Sequence, residues 1–129
     1  MTIVILDTNF LIYCVKQKIY FEEQINELVR NAEIVIPKQV RGELERMEKD
    51  IEKKYRMQDR DAANLALQLT AKLKEINLKG RYADRGIIEY CRNYNGEILV
   101  ATLDAALARM LGKTARIIKI RSLKKLIVE

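Results

Sequence analysis

Histidine and tryptophan are absent from this chain of 129 residues, and proline occurs once. Without histidine there is no imidazole for acid–base catalysis, and a zinc site loses its commonest nitrogen ligand. The two cysteines, Cys14 and Cys91, stand far apart and match no metal-binding spacing. They read as reduced, buried, small apolar residues. Any metal held by such a chain would be a hard cation bound through oxygen. No apolar run approaches the length of a membrane span, so no membrane association is expected. The N-terminus lacks a basic segment followed by a long apolar stretch, so no secretion signal is expected and the cytoplasm is the expected location. One proline, five glycines and no repeat or low-complexity segment leave no evident linker. A single domain over 1–129 is expected.

What is present is a soluble globular mixture, 49% apolar and 33% charged, with its charge unevenly spread. Residues 1–64 carry 11 basic and 12 acidic side chains, whereas residues 65–129 carry 13 basic and 6 acidic. Between Asp104 and Glu129 there are seven basic residues and no acid. Such a field favours a polyanionic partner, most simply nucleic acid.

Apolar periodicity sets the order of elements. Residues 2–6 read as a short buried strand, and 9–19 and 21–32 as helices. Residues 33–36 ("EIVI") read as a second strand, with Pro37 at a helix start. The next helix carries Val40, Leu44, Met47 and Ile51 as one stripe. A further helix is expected over 59–76, with Ala62, Ala66, Leu69, Leu73 and Ile76 on one face, and another over 83–94. "EILVAT" is a third strand, "DAALARML" a helix and "ARIIKI" a fourth strand. The closing "LKKLIVE" reads as an edge strand or a docked tail. Strands alternating with helices imply a three-layer α/β/α sandwich around a parallel sheet of four to five strands.

In such sheets ligands collect beyond the carboxyl ends of the strands. That gives four acids one address. Asp7 ends the first strand and Asp104 follows "ILVAT". Glu43 lies in the second turn of the helix after "EIVI", and Asp84 begins the helix of Ile87 and Ile88. Singly, Asp7, Asp84 and Asp104 read as helix caps and Glu43 as a solvated charge. Together they would repel one another unless a cation entered, and an oxygen-lined cluster suits Mg²⁺ or Mn²⁺.

"LDTN", "GELERM", "YADRGIIEYC" and "LVATLDAALARML", in that order along essentially the whole chain, resemble the PIN-domain family of metal-dependent ribonucleases. The resemblance implies that Asp7, Glu43, Asp84 and Asp104 form the catalytic, metal-binding acidic pocket, with Thr8, Asn9 and Thr102 supporting it. It implies hydrolysis of phosphodiester bonds in RNA, leaving 5′-phosphate and 3′-hydroxyl ends. The "GRYAD" and "VATLD" segments with the basic tail resemble PIN proteins of small-ribosomal-subunit processing, for which a pre-ribosomal particle would be the partner. Arg85 departs from that subgroup, whose members often carry a second acid after the one at Asp84. VapC-type toxins share the four acids, would pair with an antitoxin protein, and usually form homodimers. A PIN protein that binds RNA or partners without cutting is a third alternative. Lys38, Arg41, Arg81, Arg85, Arg109 and Lys113, with Arg121, are the expected phosphate contacts. Single-stranded or looped RNA is the expected substrate, because a flexible strand reaches a pit that a duplex cannot. Tyr82 reads either as a base-stacking ring or as packing over the sheet edge.

Overall fold

The computed structural model describes residues 1–129, apart from the side chain of Leu123. Strand β1 (Thr2–Leu6) leads into helices α1 (Thr8–Lys16) and α2 (Phe21–Leu28). Strand β2 (Ala32–Pro37) is followed by α3 (Lys38–Lys49) and α4 (Met57–Leu69), then by the short β3 (Lys74–Ile76). Next come α5 (Ala83–Asn93), β4 (Ile98–Ala101), α6 (Ala105–Leu111), β5 (Arg116–Arg121), a 3₁₀ turn at Ser122–Lys124, and β6 (Lys125–Val128). The strands form one sheet in the order β3-β2-β1-β4-β5-β6. The first five are mutually parallel, and β6 closes the edge antiparallel to β5.

Alternation along the strands assigns the two faces. Val4, Leu6, Ile34, Ile36, Leu99 and Ala101 join the core beneath α1 to α4. Ile3, Ile5, Val35, Ile98 and Val100 join the core beneath α5 and α6. Both faces are therefore apolar, as a parallel sheet covered on each side requires. Each fully buried aliphatic chain contributes about 1.5–3 kcal/mol from area removed from water.

The sheet is the expected sandwich, and its edges differ from expectation. The helix expected over 59–76 ends at Leu69. Thr70 caps it, turning its hydroxyl onto the Ala66 carbonyl at 2.7 Å. Residues 74–76 then pair with the open edge of β2, Lys74 opposite Val35 and Ile76 opposite Pro37. An unpaired sheet edge outweighs a helical spacing of apolar residues. Leu69 consequently points to solvent, and Ile76 joins the face opposite Ala62 and Ala66. Ile51 does not extend the α3 stripe. Asp50 ends that helix with φ near 29°, and Ile51 is 89% exposed. The "LKKLIVE" tail is an edge strand, tied to α2 by the Gln24 side chain, which donates to the Lys124 carbonyl and accepts from the Leu126 N–H. Among the described residues, no helix is long and apolar enough to cross a membrane.

One topological feature places the site. From β1 the chain moves to β2 and β3 on one side, then crosses by α5 to β4 on the other. The strand order thus reverses between β1 and β4, and a crevice opens where their carboxyl ends diverge. Asp7 and Asp104 stand at those two ends.

Candidate active site

Asp7 is the junction of β1 and α1. Its N–H continues the sheet ladder by donating to the Ala101 carbonyl at 3.0 Å, and its extended backbone makes it the N-cap of α1. One carboxylate oxygen, Oδ1, accepts the Thr8 N–H at 2.9 Å. The other, Oδ2, accepts the hydroxyl of Thr102 at 2.7 Å. Thr102 follows β4 directly, and its oxygen in turn accepts the Asp104 N–H at 3.0 Å. Asp104 then caps α6, its Oδ1 accepting from the N–H groups of Ala106 and Leu107. On the other side, the Thr8 hydroxyl donates to Glu43 Oε2 at 3.1 Å. A continuous chain of hydrogen bonds therefore runs Glu43–Thr8–Asp7–Thr102–Asp104 across the crevice. Asp84 completes the set from the first turn of α5. It caps nothing, since Tyr82 holds the cap position and makes no side-chain bond there.

The electrostatics follow from burial and like charge. Asp7 is only 6% exposed. Burial pushes its carboxyl above the ordinary value, the bonds from Thr102 and Thr8 pull it back, and the charges of Asp84 and Glu43 push it up again. Asp84 is raised by partial desolvation and by the charge of Asp104. Asp7 thus senses the charges of Asp84 and Glu43 across the crevice, and Asp84 senses that of Asp104.

Their chemistry fits a divalent cation: all donors are carboxylate oxygens, one is buried, and like charge makes the set unfavourable alone. Each Asp7 oxygen uses one of its two lone pairs in the network, which leaves a second for a ligand. The arrangement is open. Among the described residues no three acidic or cysteine side chains close around a metal-sized position. Open ligation suits Mg²⁺, which keeps several of its waters.

Thr8 and Thr102 lie inside the network, whereas Asn9 is exposed and makes no side-chain hydrogen bond among the described residues. Lys38, Glu43, Arg81 and Tyr82 line one cleft of about 610 Å³ between the starts of α3 and α5. Arg46 also lines it, and the sequence reading passed it over. The signal was available, since Arg46 follows Glu43 by three residues and so shares its side of α3. Arg85 and Arg109 are exposed, on α5 and α6. Two expected phosphate contacts lie elsewhere. Arg41 is committed to the β3 edge, its Nε donating to Glu75 at 2.9 Å and its Nη2 to the Thr70 carbonyl at 3.2 Å. Lys113 follows the C-terminus of α6 and precedes β5, which puts it at the amino edge of the sheet, opposite the acids. Arg121, at the end of β5, is on the acids' edge.

A family of PIN-like domains matches residues 4–123, and the chain belongs to that family. Among curated relatives, ribonuclease VapC4 of Methanocaldococcus jannaschii is 38% identical over 106 residues, 81% of this chain and 79% of that protein. Among solved structures, the PIN domain endonuclease Utp24 superposes with a TM-score of 0.76 at 27% identity, covering 98% of this chain and 90% of that one. VapBC2 of Rickettsia felis, solved bound to a DNA fragment from its promoter, has a TM-score of 0.56 at 15% identity, over 92% of this chain and 99% of that one. That last likeness is one of fold.

Proposed function

We propose that the protein is a divalent-metal-dependent endoribonuclease whose acidic site is Asp7, Glu43, Asp84 and Asp104. The observation that carries this reading is the buried, charge-strained Asp7 at the point where the strand order reverses, wired by Thr8 and Thr102 to two of the other acids. Asp7 and Asp104 would be direct ligands of Mg²⁺ or Mn²⁺, with Asp84 and Glu43 completing the shell. When bound, such a cation supplies charge neutralisation at a phosphate and an activated water.

The chain's own residues do the rest. Thr102 and Thr8 fix both oxygens of Asp7, so the carboxylate is oriented before any ligand arrives. Lys38, Arg46 and Arg81 along the cleft bind backbone phosphates, which positions an RNA without reading its sequence. The cleft lies between two helix starts, and a single strand enters such a recess more readily than a duplex. The ribonuclease and endonuclease relatives support the same chemistry.

The test uses Asp7→Asn. Mn²⁺-dependent cleavage of single-stranded RNA should fall at least about a hundredfold while the circular dichroism spectrum is kept, and Mn²⁺ should raise the melting temperature of the wild type only. Cleavage by the variant at the wild-type rate would sink the assignment. Metal-independent binding of RNA with no cleavage by the wild type would favour a scaffold. Two settings are served by this activity. The processing-type sequence pattern favours maturation of ribosomal RNA, with a pre-ribosomal particle as partner. The VapC4 relative favours a toxin held by an antitoxin. Expression of the chain alone separates them, since growth arrest that Asp7→Asn relieves belongs to the toxin.

A further inference from the structure

A second recess lies along α5, outside the acidic cleft. It has a volume of about 550 Å³, and its walls include Asn77, Lys79, Glu89, Tyr90, Asn93 and Tyr94. Tyr90 and Tyr94, one helical turn apart, present near-parallel rings with centroids 6.2 Å apart and planes 12° apart. The Tyr94 hydroxyl is anchored on the Met1 carbonyl. The floor owes its shape to Gly86, where a Cβ would stand 2.7 Å from Leu78 Cβ and 3.1 Å from the Lys79 carbonyl. Only glycine lets the 78–79 segment approach α5 so closely.

Asn77 lines both this recess and the cleft of Lys38, Glu43 and Arg81. Along α5, Tyr90 stands six residues beyond Asp84, about 9 Å along the axis and about a third of a turn around it. An RNA strand held at the acids and running past Asn77 along α5, toward the amino edge where Tyr94 meets Met1, would carry a nearby nucleotide over these rings. The lining fits a base better than a phosphate. Aromatic faces stack on any base, and two amides can bond its edge. Glu89 would repel a phosphate, yet a carboxylate accepts from the amino group of adenine, cytosine or guanine, whereas at uracil it meets the O4 carbonyl and has only the ring N3–H to accept from.

We infer that this recess, between α5 and the segment after β3, is a nucleobase subsite for a nucleotide near the scissile one, selective for bases that carry an exocyclic amino group. The inference rests on the ribonuclease reading above. Tyr90 is the stacking ring, Glu89 the amino-group acceptor, and Lys79 the contact to the flanking phosphate.

The experiment measures binding in the Asp7→Asn background without divalent metal, so that it does not depend on cleavage. Short single-stranded RNAs with one abasic site or one uracil walked through an adenine tract are titrated by fluorescence anisotropy. One register should weaken binding about five- to a hundredfold when made abasic. Tyr90→Leu should cause a similar loss on intact RNA and no further loss on the abasic RNA of that register. At the same register uracil should bind more weakly than adenine, and Glu89→Gln should erase that difference. Lys79→Ala, at an exposed position, is the control that folding does not limit; it should weaken binding and lower the salt dependence. Equal binding by Tyr90→Leu, with its fold intact, would overturn the subsite even if the protein cuts RNA. If Tyr90→Leu does not fold, an unchanged adenine–uracil difference in Glu89→Gln overturns it instead. A Tyr90-dependent register in a protein that cuts nothing would leave the subsite standing and sink the nuclease reading.

Discussion

Replacing Thr102 by valine keeps the shape of the side chain and deletes one hydroxyl, at a residue 2% exposed. That hydroxyl donates to Asp7 Oδ2 and accepts the Asp104 N–H, at 2.7 and 3.0 Å. A hydrogen bond to a charged group is worth about 1.5–3 kcal/mol and a neutral one about 0.5–1.5. The two share one oxygen and do not add fully, so a loss of about 2–4 kcal/mol is expected at neutral pH. For 129 residues the unfolding entropy is about 0.27 kcal/mol/K. A loss of 3 kcal/mol would then lower Tm by roughly 11 °C. The penalty should also depend on pH. The native Asp7 carboxyl titrates above the ordinary value of 3.8, so the folded state binds a proton more readily than the unfolded chain. Its contribution to stability is fully present below 3.8 and is lost as pH rises through the native value. The Thr102 bond holds that native value down, so its removal raises it further and enlarges the loss at neutral pH. Asp84 shifts in the same direction in both proteins and cancels in the comparison. Thermal melts of wild type and Thr102→Val in chelator, at about pH 7 and about pH 3, read the effect. A penalty equal at the two pH values, or below about 0.5 kcal/mol at neutral pH, would refute the argument that the hydroxyl serves a charged, buried carboxylate.

Gly86→Ala should cost stability on balance. Helix propensity gains up to about 1 kcal/mol, but the new Cβ meets Leu78 at 2.7 Å and over-packing costs about 1–3 kcal/mol. A rise in the urea midpoint would show that the 78–79 segment moves aside freely. Arg41→Ala should lower stability by about 1 kcal/mol through the Glu75 and Thr70 contacts and leave RNA affinity unchanged. Arg81→Ala should do the opposite, weakening RNA binding and reducing the slope of log K against log salt by about 0.7. Equal effects of the two variants on RNA binding would mean that Arg41 leaves Glu75 when RNA arrives.

The parts of the fold that the sequence made legible are those in which one physical signal acts alone. "IVIL" and "ILVA" are apolar on every position because both sheet faces are covered, and their ends locate Asp7 and Asp104 with no further information. Glu43 and Asp84 followed because each lies within the first two turns of a helix that starts on the same sheet edge. Where two signals competed, the local pattern misled. Leu69, Leu73 and Ile76 keep helical spacing, but the free edge of β2 claims residues 74–76. Charge carried no direction: Arg41 and Lys113 look like phosphate contacts in a list of basic residues, and only the topology sends one to an ion pair and the other to the far edge. The Thr8–Glu43 bond spans 35 residues of chain and has no sequence signature.

Capping and metal binding, rivals as explanations of Asp7 and Asp104 in the sequence, are compatible in the structure. Asp104 gives one oxygen to the N–H groups of α6, and its second oxygen accepts no hydrogen bond among the described residues. The cap is what aims that oxygen. Asp7 goes further, because its titration has the wrong sign for a cap alone. A carboxylate at a helix N-terminus gains from the adjacent N–H groups and should be lowered. Asp50, at the C-terminal end of α3, shows in the same chain what accepted N–H groups do to a carboxyl. Against its burial penalty, the N–H groups of Tyr55 and Lys54 and the charge of Arg60 hold it below the usual range. Asp7 also accepts two hydrogen bonds and is nevertheless raised, because it is buried facing other acids. A residue kept only to start α1 would be better as asparagine or serine, which cap without that penalty. The cost is understandable if a cation offsets it, and this is why Asp7→Asn should melt above the wild type in chelator and lose its advantage as Mn²⁺ is added.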